Sequence, residues 1–310
     1  MLVAAVLSFV LRARVVGGGR YSPGQGQQAD PNDFALFMLA ALPVWWFAAK
    51  QARSGIKKIL CLLCTAPVLV AFARTGSRGG FVGLCVVMAL FFLSGSAAQR
   101  IRAVAAIVIC GLAGFWLLPH ATRQRFVTLY TQQTIAGVEM MDGSAEQRLQ
   151  LFKTSLRVTL EHPLFGVGPG NFAAYIYNKS REEGGRMPWL PPHNTYTHIS
   201  SEAGIPALVF FLLAINAGFA SMRFIRRAHV PQPSPEWITL VNAAFYLRLT
   251  VAGVGSCCFF LTYPYSGALH PLIGLMTAME LIARKELTRM QTSVDAPALP
   301  VFATSAGTAR

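Results

Sequence analysis

The sequence predicts an all-α fold, a polytopic transmembrane helix bundle of about seven spans and a partial N-terminal one, with one large helical loop outside the membrane. Three observations predict it. Hydrophobic residues make up 54% of the 310 residues and charged residues only 13%, and the mean hydropathy is +0.46, values far from those of a soluble enzyme. Apolar runs at about 34–49, 59–73, 80–98, 103–118, 199–220, 238–262 and 267–283 approach the length that crosses a bilayer. Basic residues gather in alternate connections: Lys50, Arg53, Lys57 and Lys58; Arg100 and Arg102; Arg223, Arg226 and Arg227; Arg284, Lys285 and Arg289. That alternation marks their side as cytoplasmic. The formal net charge of +14 raises the question of nucleic acid, but the Lys and Arg are dispersed among apolar runs instead of forming one basic face, so membrane lipid is the expected partner and nucleic acid is not.

Residues 2–11 are apolar but too short to span, and no basic stretch precedes them as in a signal peptide; they read as the tail of a helix or a half-length segment. Asp30, Pro31, Asn32 and Asp33 form a helix entrance with a capping residue before proline. Pro43 and Pro67 fall inside apolar runs and predict kinks, not ends. Arg248 lies mid-span and is expected to face the bundle or a wet cavity. The chain divides into membrane helices at 1–118, a large outer loop at 119–198, further membrane helices at 199–284 and a small-residue, Pro-containing tail at 285–310, expected to be cytoplasmic and disordered. All six cysteines fall in predicted spans, where a small buried hydrophobe is the ordinary reading, so no disulfide framework follows.

Within the outer loop, Ser144 and Gln147 make a capping box, and Leu149, Phe152, Leu156 and Leu160 recur at helical spacing until His162-Pro163. This predicts an amphipathic helix of about 17 residues, its apolar face on the membrane domain or the interface. Arg148 sits in its first turn, where the helix dipole disfavours a cation, so solvent or an anion must hold it. Arg12, Arg14, Arg20, Arg74 and Arg78 lie on the outer side against the positive-inside trend, which points to an anionic ligand or to lipid headgroups. Clustered polar chemistry concentrates between 162 and 205, in HPLFGVGPGNF and PPHNTYTHISSEAGIP. Gly166, Gly168 and Gly170 are flanked by Pro163 and Pro169 with no strand before them, so they form turns and not a dinucleotide fingerprint. His193 and His198 are five residues apart, the wrong spacing for a metal pair on one helical face.

In order along the chain, GGGRYSPGQGQQADPNDFALFMLAALP, ARTGSRGGFVGL, EQRLQLF, HPLFGVGPGNF and PHNTYTHISSEAGIP resemble the O-antigen ligase and O-antigen polymerase family of bacterial envelope proteins, over about residues 15–220. The resemblance implies an inner-membrane glycosyltransferase that takes a glycan from a polyprenyl pyrophosphate carrier and passes it to an acceptor hydroxyl, on lipid A core or a growing glycan. It implies no cofactor and no metal, a periplasmic loop over the site and a cytoplasmic C-terminus. The resemblance implies several more N-terminal spans than this sequence shows, so the chain is expected to begin inside one. Carried over, Arg78 and Arg148 match the family's arginines and His193 its loop histidine, the expected catalytic set. Arg20, Arg74, Asn194 and Glu202 are the expected substrate-binding residues.

Elementary chemistry agrees. A guanidinium fork donates paired hydrogen bonds to phosphate and stays ionised. A histidine accepts a proton near neutral pH. Two readings of other classes stay open: a flippase for lipid-linked glycan, which predicts internal repeats and helices interrupted at matching positions, neither evident in the sequence, and a non-catalytic relative that binds carrier lipid.

Overall fold

Proline and glycine set where helices begin, break and meet in this chain. The computed structural model describes the backbone of 14–16 and 20–22 and residues 30–95, 100–101, 139–185, 187, 189–265, 267 and 269–295; of 139–145 and 293–295 it describes the backbone alone. The apolar runs expected at 2–11 and 103–118, together with Arg12 and most of the tail, lie outside these residues.

Helix α1 (Pro31–Gln51) starts on Asp30, whose carboxylate accepts from the Asn32 amide at 2.6 Å. It continues through Pro43 and is the most enclosed helix, with Phe34, Leu36, Leu39 and Leu42 fully buried. Helices α2 (Gly55–Leu63) and α3 (Thr65–Arg74) form one apolar rod broken at Cys64. Pro67 explains the break, since it has no N–H for the Leu63 carbonyl one turn back. Helix α4 (Arg78–Ser94) is capped by Ser77. Lys50 lies in the last turn of α1, beside the α1–α2 connection.

Helices α5 (Glu139–Glu161) and α6 (Phe172–Glu182) belong to the large loop. Helix α5 starts at 139, earlier than the Ser144 box predicts, and runs 23 residues instead of about 17. Helices α7 (Thr195–Arg227), α8 (Pro235–Cys257) and α9 (Leu269–Asp295) follow. Helix α9 passes beyond the predicted end of the last span, carrying the described chain helical to Asp295.

Among the described residues, four stretches are long and apolar enough to cross a membrane: Pro31–Gln51, Gly55–Arg74, Thr195–Arg227 and Pro235–Cys257. These four answer the expected runs at 34–49, 59–73, 199–220 and 238–262, and the run at 103–118 lies outside the described residues. Helix α4 is apolar but shorter, and α9 carries Glu280 within its apolar run and Arg284, Lys285 and Glu286 directly after it. The helical fold has one addition, an antiparallel pair β1 (Arg14–Val16) and β2 (Arg20–Ser22) in which Val15 faces Tyr21 and Val16 faces Arg20. Valine and tyrosine favour extended backbone.

The core forms where α1, α4 and α8 cross. A Cβ on Gly83 would meet Cys257 Sγ at 2.6 Å and Leu39 at 2.7 Å, and one on Gly253 would meet Val87 at 2.5 Å. Small residues let these backbones approach, as membrane helices require in the absence of a strong hydrophobic drive. Mid-span Arg248 donates to Ser94 Oγ at 3.2 Å and lies against the Phe245 ring, so its charge is drawn toward the end of α4 away from the site.

The fold's decisive irregularity is in α7. Gly204 adopts φ 85, ψ 172, which splits the helix, and Pro206 has no N–H. Two α7 carbonyls therefore lose their helical donors, and the loop after α5 supplies replacements: Val167 N donates to Ser201 O and Gly168 N to Glu202 O, both at 2.9 Å, while Ile205 N donates to Pro163 O at 2.7 Å. The fit leaves no room for side chains. A Cβ on Gly204 would meet the Leu164 carbonyl at 2.2 Å, and one on Gly166 the Glu202 carbonyl carbon at 2.3 Å.

Gly204→Ala should therefore lose about 1–3 kcal/mol from backbone conformation alone, with the clash added. Gly170→Ala, at φ 77 with nothing within 4 Å of a Cβ, should lose only the conformational part. Thermal unfolding in detergent checks this, and an equal Tm drop for the two variants would show that the loop contact is not tight.

Candidate functional site

The site forms at the end of the bundle where α1, α4 and α7 all begin. At α4, Thr75 Oγ1 donates to the Phe72 carbonyl at 2.7 Å, closing α3. Gly76 turns the chain with φ 57. The Ser77 hydroxyl accepts from Gly80 N at 3.1 Å and donates to Asn32 Oδ1 at 2.8 Å, joining the first turns of α4 and α1. Arg78 is the first residue of α4 and is exposed. Arg74 ends α3, half-buried beside the same turn. Strand β2, which carries Arg20, lies against α1 and α3.

The PHNTY stretch is stitched onto the far end of α8, where a helix leaves carbonyls without donors. Thr195 N donates to Cys258 O at 2.9 Å, Thr195 Oγ1 to Leu261 O at 2.7 Å, Asn194 Nδ2 to Phe259 O at 3.2 Å and the Tyr196 hydroxyl to Gly255 O at 2.8 Å. Asn194 Oδ1 also accepts from the Tyr196 and Thr197 amides at 3.0 Å, capping α7. His193 precedes that cap with φ 54, a left-handed conformation that is uncommon outside glycine. Its amide donates to Thr262 Oγ1 at 3.0 Å, which helps hold it there.

Electrostatics ties the expected catalytic residues together. Arg148, half-buried, lies in the third turn of α5 and not in the first turn expected, because the helix starts at 139; its pKa is lowered first by burial and then by Arg78, against the opposing pull of Asp30. His193 has its pKa lowered first by burial and then by the Arg148 charge, with Asp30 opposing and His198 adding to the lowering. Arg78, Arg148, His193 and the Asp30 cap thus share one electrostatic neighbourhood. Among the described residues, neither Arg78 nor Arg148 forms an ion pair within salt-bridge distance. Three helix N-termini, each a partial positive charge, open at this end.

Glu202 and Asn194 sit differently from a substrate-contacting expectation. Asn194 has both side-chain ends committed to the frame, as given above. Glu202 is 1% exposed, and its carboxylate accepts from Gly170 N at 2.8 Å, Phe172 N at 2.9 Å and the Tyr265 hydroxyl. His198 Nε2 lies 2.9 Å from the same carboxylate. The sequence argument set His198 aside on its spacing from His193. Its informative spacing is to Glu202, four residues on, which places both on one helical face.

One end of a membrane bundle thus gathers Arg78 and Arg148 beside a histidine whose pKa is lowered. A model of the O-antigen ligase family matches residues 59–212. That stretch contains Arg74, Arg78, Arg148, His193, Asn194 and Glu202, and by it the chain belongs to the O-antigen ligase family, a family of membrane glycosyltransferases. A search of curated proteins returned no match.

The direction of the His193 shift gives a test. Its imidazole should titrate below the usual 6.5, and Arg148→Gln should move it upward, because a neighbouring cation disfavours the imidazolium. Burial should still keep it under the usual value. Histidine-labelled NMR of the reconstituted protein, with His193→Asn to assign the resonance, reads both; an unchanged or lower value in Arg148→Gln would separate the two residues electrostatically.

Proposed function

We propose that the chain transfers a glycan from a polyprenyl pyrophosphate carrier to an acceptor hydroxyl at the outer face of the bacterial inner membrane. The observation that carries this reading is the shared neighbourhood of Arg78, Arg148 and His193. The acceptor oxygen attacks the anomeric carbon of the carrier-linked sugar, and the bond from that carbon to the phosphate oxygen breaks. The hydroxyl proton passes to the His193 imidazole, whose lowered pKa keeps it unprotonated at neutral pH. The electron pair leaves with the carrier diphosphate, whose charge Arg78 and Arg148 meet with directed N–H groups. Arg20, on the strand beside α1 and α3, and Arg74, on the neighbouring helix end, are placed to extend the anion site. Asn194 and Glu202 act through the frame, by fixing His193 and the loop.

The direction of the bundle supports an outward site. Lys50, Lys57, Lys58, Arg226, Arg227, Arg284 and Lys285 gather at the end opposite Arg78 and His193, in keeping with a cytoplasmic face there. On this orientation the α5–α6 loop is periplasmic and the C-terminus cytoplasmic. The acceptor is lipid A core or a growing glycan.

His193→Ala should lower transfer about 10²–10⁴-fold, the usual contribution of a positioned base. Arg78→Lys and Arg148→Lys should each lower it too, since an ammonium keeps the charge but not the fork. Surface glycan and carrier-linked glycan, followed in cells by leaflet, give the readout. Carrier-linked glycan accumulating in the outer leaflet is expected; accumulation in the cytoplasmic leaflet would mean that translocation, not transfer, had been lost.

A further inference from the structure

Helix α5 has two different faces. Leu151, Ser155, Val158 and Thr159 are buried, with Thr159 Oγ1 2.8 Å from Ser200 Oγ of α7 and the aliphatic pair packed with Phe172 and Ile176 of α6. The other face presents Leu149, Leu156 and Leu160 to the exterior, with Lys153 and Arg157 exposed on the same side. The leucine periodicity expected to seat this helix therefore points largely outward, apart from the half-buried Phe152.

The exposed stripe does not end with the helix. Past His162-Pro163 it continues into Leu164 and Phe165, 63% and 83% exposed, the latter at the tip of the loop. The backbone here is fixed: Ile205 N donates to Pro163 O, Val167 N to Ser201 O, and Gly204 abuts the Leu164 carbonyl. That contact sets the tip level with Ile205, where α7 resumes after its break. From Ile205 onward α7 is an apolar span whose outer side exposes Val209, Phe210 and Leu213. Leu160, Leu164 and Phe165 thus form an extension of a lipid-facing surface into a segment outside the span.

We infer that this surface is a membrane-seating element: Leu160, Leu164 and Phe165 insert among the acyl chains of the leaflet at the site end, with Lys153 and Arg157 at headgroup level. An exposed Phe at a loop tip continuous with a span is solvated by lipid at far lower free energy than by water. The flanking cations meet the phosphates of that leaflet. Because Ile205 and Pro163 join tip and span rigidly, lipid contact at the tip holds the α5 end of the loop, and with it Arg148, at a set height above the bilayer. The inference rests on membrane embedding and not on glycan transfer.

The test places the photoreactive residue p-benzoylphenylalanine at 160 or 165 in the full chain, reconstituted in vesicles of phosphatidylethanolamine and phosphatidylglycerol. Phe210, on the span, is the lipid-facing control, and Asn178, exposed on α6, the water-facing one. After illumination, mass spectrometry should find phospholipid adducts at 160 and 165 at a yield comparable to that at 210 and several-fold above that at 178. Adducts at 210 without any at 160 or 165 overturn the inference. So do adducts at 160 or 165 to a second copy of the chain, and lipid adducts lost on adding a polyprenyl phosphate, which would make the surface a groove for the carrier's tail. Because the readout is lipid contact, an inactive protein with strong adducts would leave this inference standing and count against the transferase reading alone.

Discussion

The structure depends on one local demand: two carbonyls of α7, those of Ser201 and Glu202, must find hydrogen-bond donors at the edge of a membrane. Gly204 leaves helical geometry and Pro206 has no N–H, so the helix cannot satisfy them itself. An unpaired buried carbonyl costs more than an ordinary hydrogen bond gains. The amides of Val167 and Gly168 answer that demand, and they can do so only because Gly166 and Gly168 take positive φ. The glycines of one motif are thus complementary to the break in the other. A buried carboxylate completes the join. Glu202 draws in two amides at the start of α6, the Tyr265 hydroxyl and His198, enough donors to offset removing a charge from water.

From that join the site follows by placement. The α7 segment before the break is short, begins on Asn194 and is tied by Thr195 and Tyr196 to the end of α8. His193 is held in a left-handed conformation at its entrance. The same end of the bundle carries the Ser77 cap, bonded to Asn32, so Arg78 begins its helix next to the beginning of α1. The loop that satisfies α7 is also the continuation of α5, which brings Arg148 within the field of Arg78 and His193. Arg78 and His193 come together because each sits at a helix end whose position is set by a cap or a break, and Arg148 joins them from the interior of α5.

Much of this was legible in the chain, and the reasons differ by element. The Asp30 cap follows from local chemistry that needs no partner, and the order of the motifs carried the family. The start of α5 was misplaced because the Ser144 box is only a local preference, which the longer helix overrides. An apolar run is a weaker signal of a span than a helix of full length, as Glu280 and the charges that follow it in α9 illustrate. Which face of α5 is buried could not be read from leucine spacing alone, since a loop helix at a membrane has two apolar choices. Glu202 looked like a substrate ligand; its partners Gly170 and Phe172 lie about 30 residues away, and sequence does not encode that contact.

One consequence concerns how a cationic mouth can exist in so few charges. Arg78 and Arg148 repel each other, Arg78 also faces the partial positive charge of its own helix end, and the counter-charge acting on Arg148 and His193 is the Asp30 cap. Such a cluster raises the free energy of the folded chain in proportion to how poorly water screens it, and the half-buried Arg148 is screened less than Arg78. The compensation comes from elsewhere: from the α1, α4 and α8 core and from the loop locked at Gly204, interactions that carry no charge into the mouth. On the proposed reading, a diphosphate entering between the two guanidiniums offsets their repulsion with its own attraction to each. It also raises the proton affinity of His193, and the base becomes stronger when the leaving group is in place. On the proposed reading, the repulsion built into the fold is what makes the histidine respond to the donor.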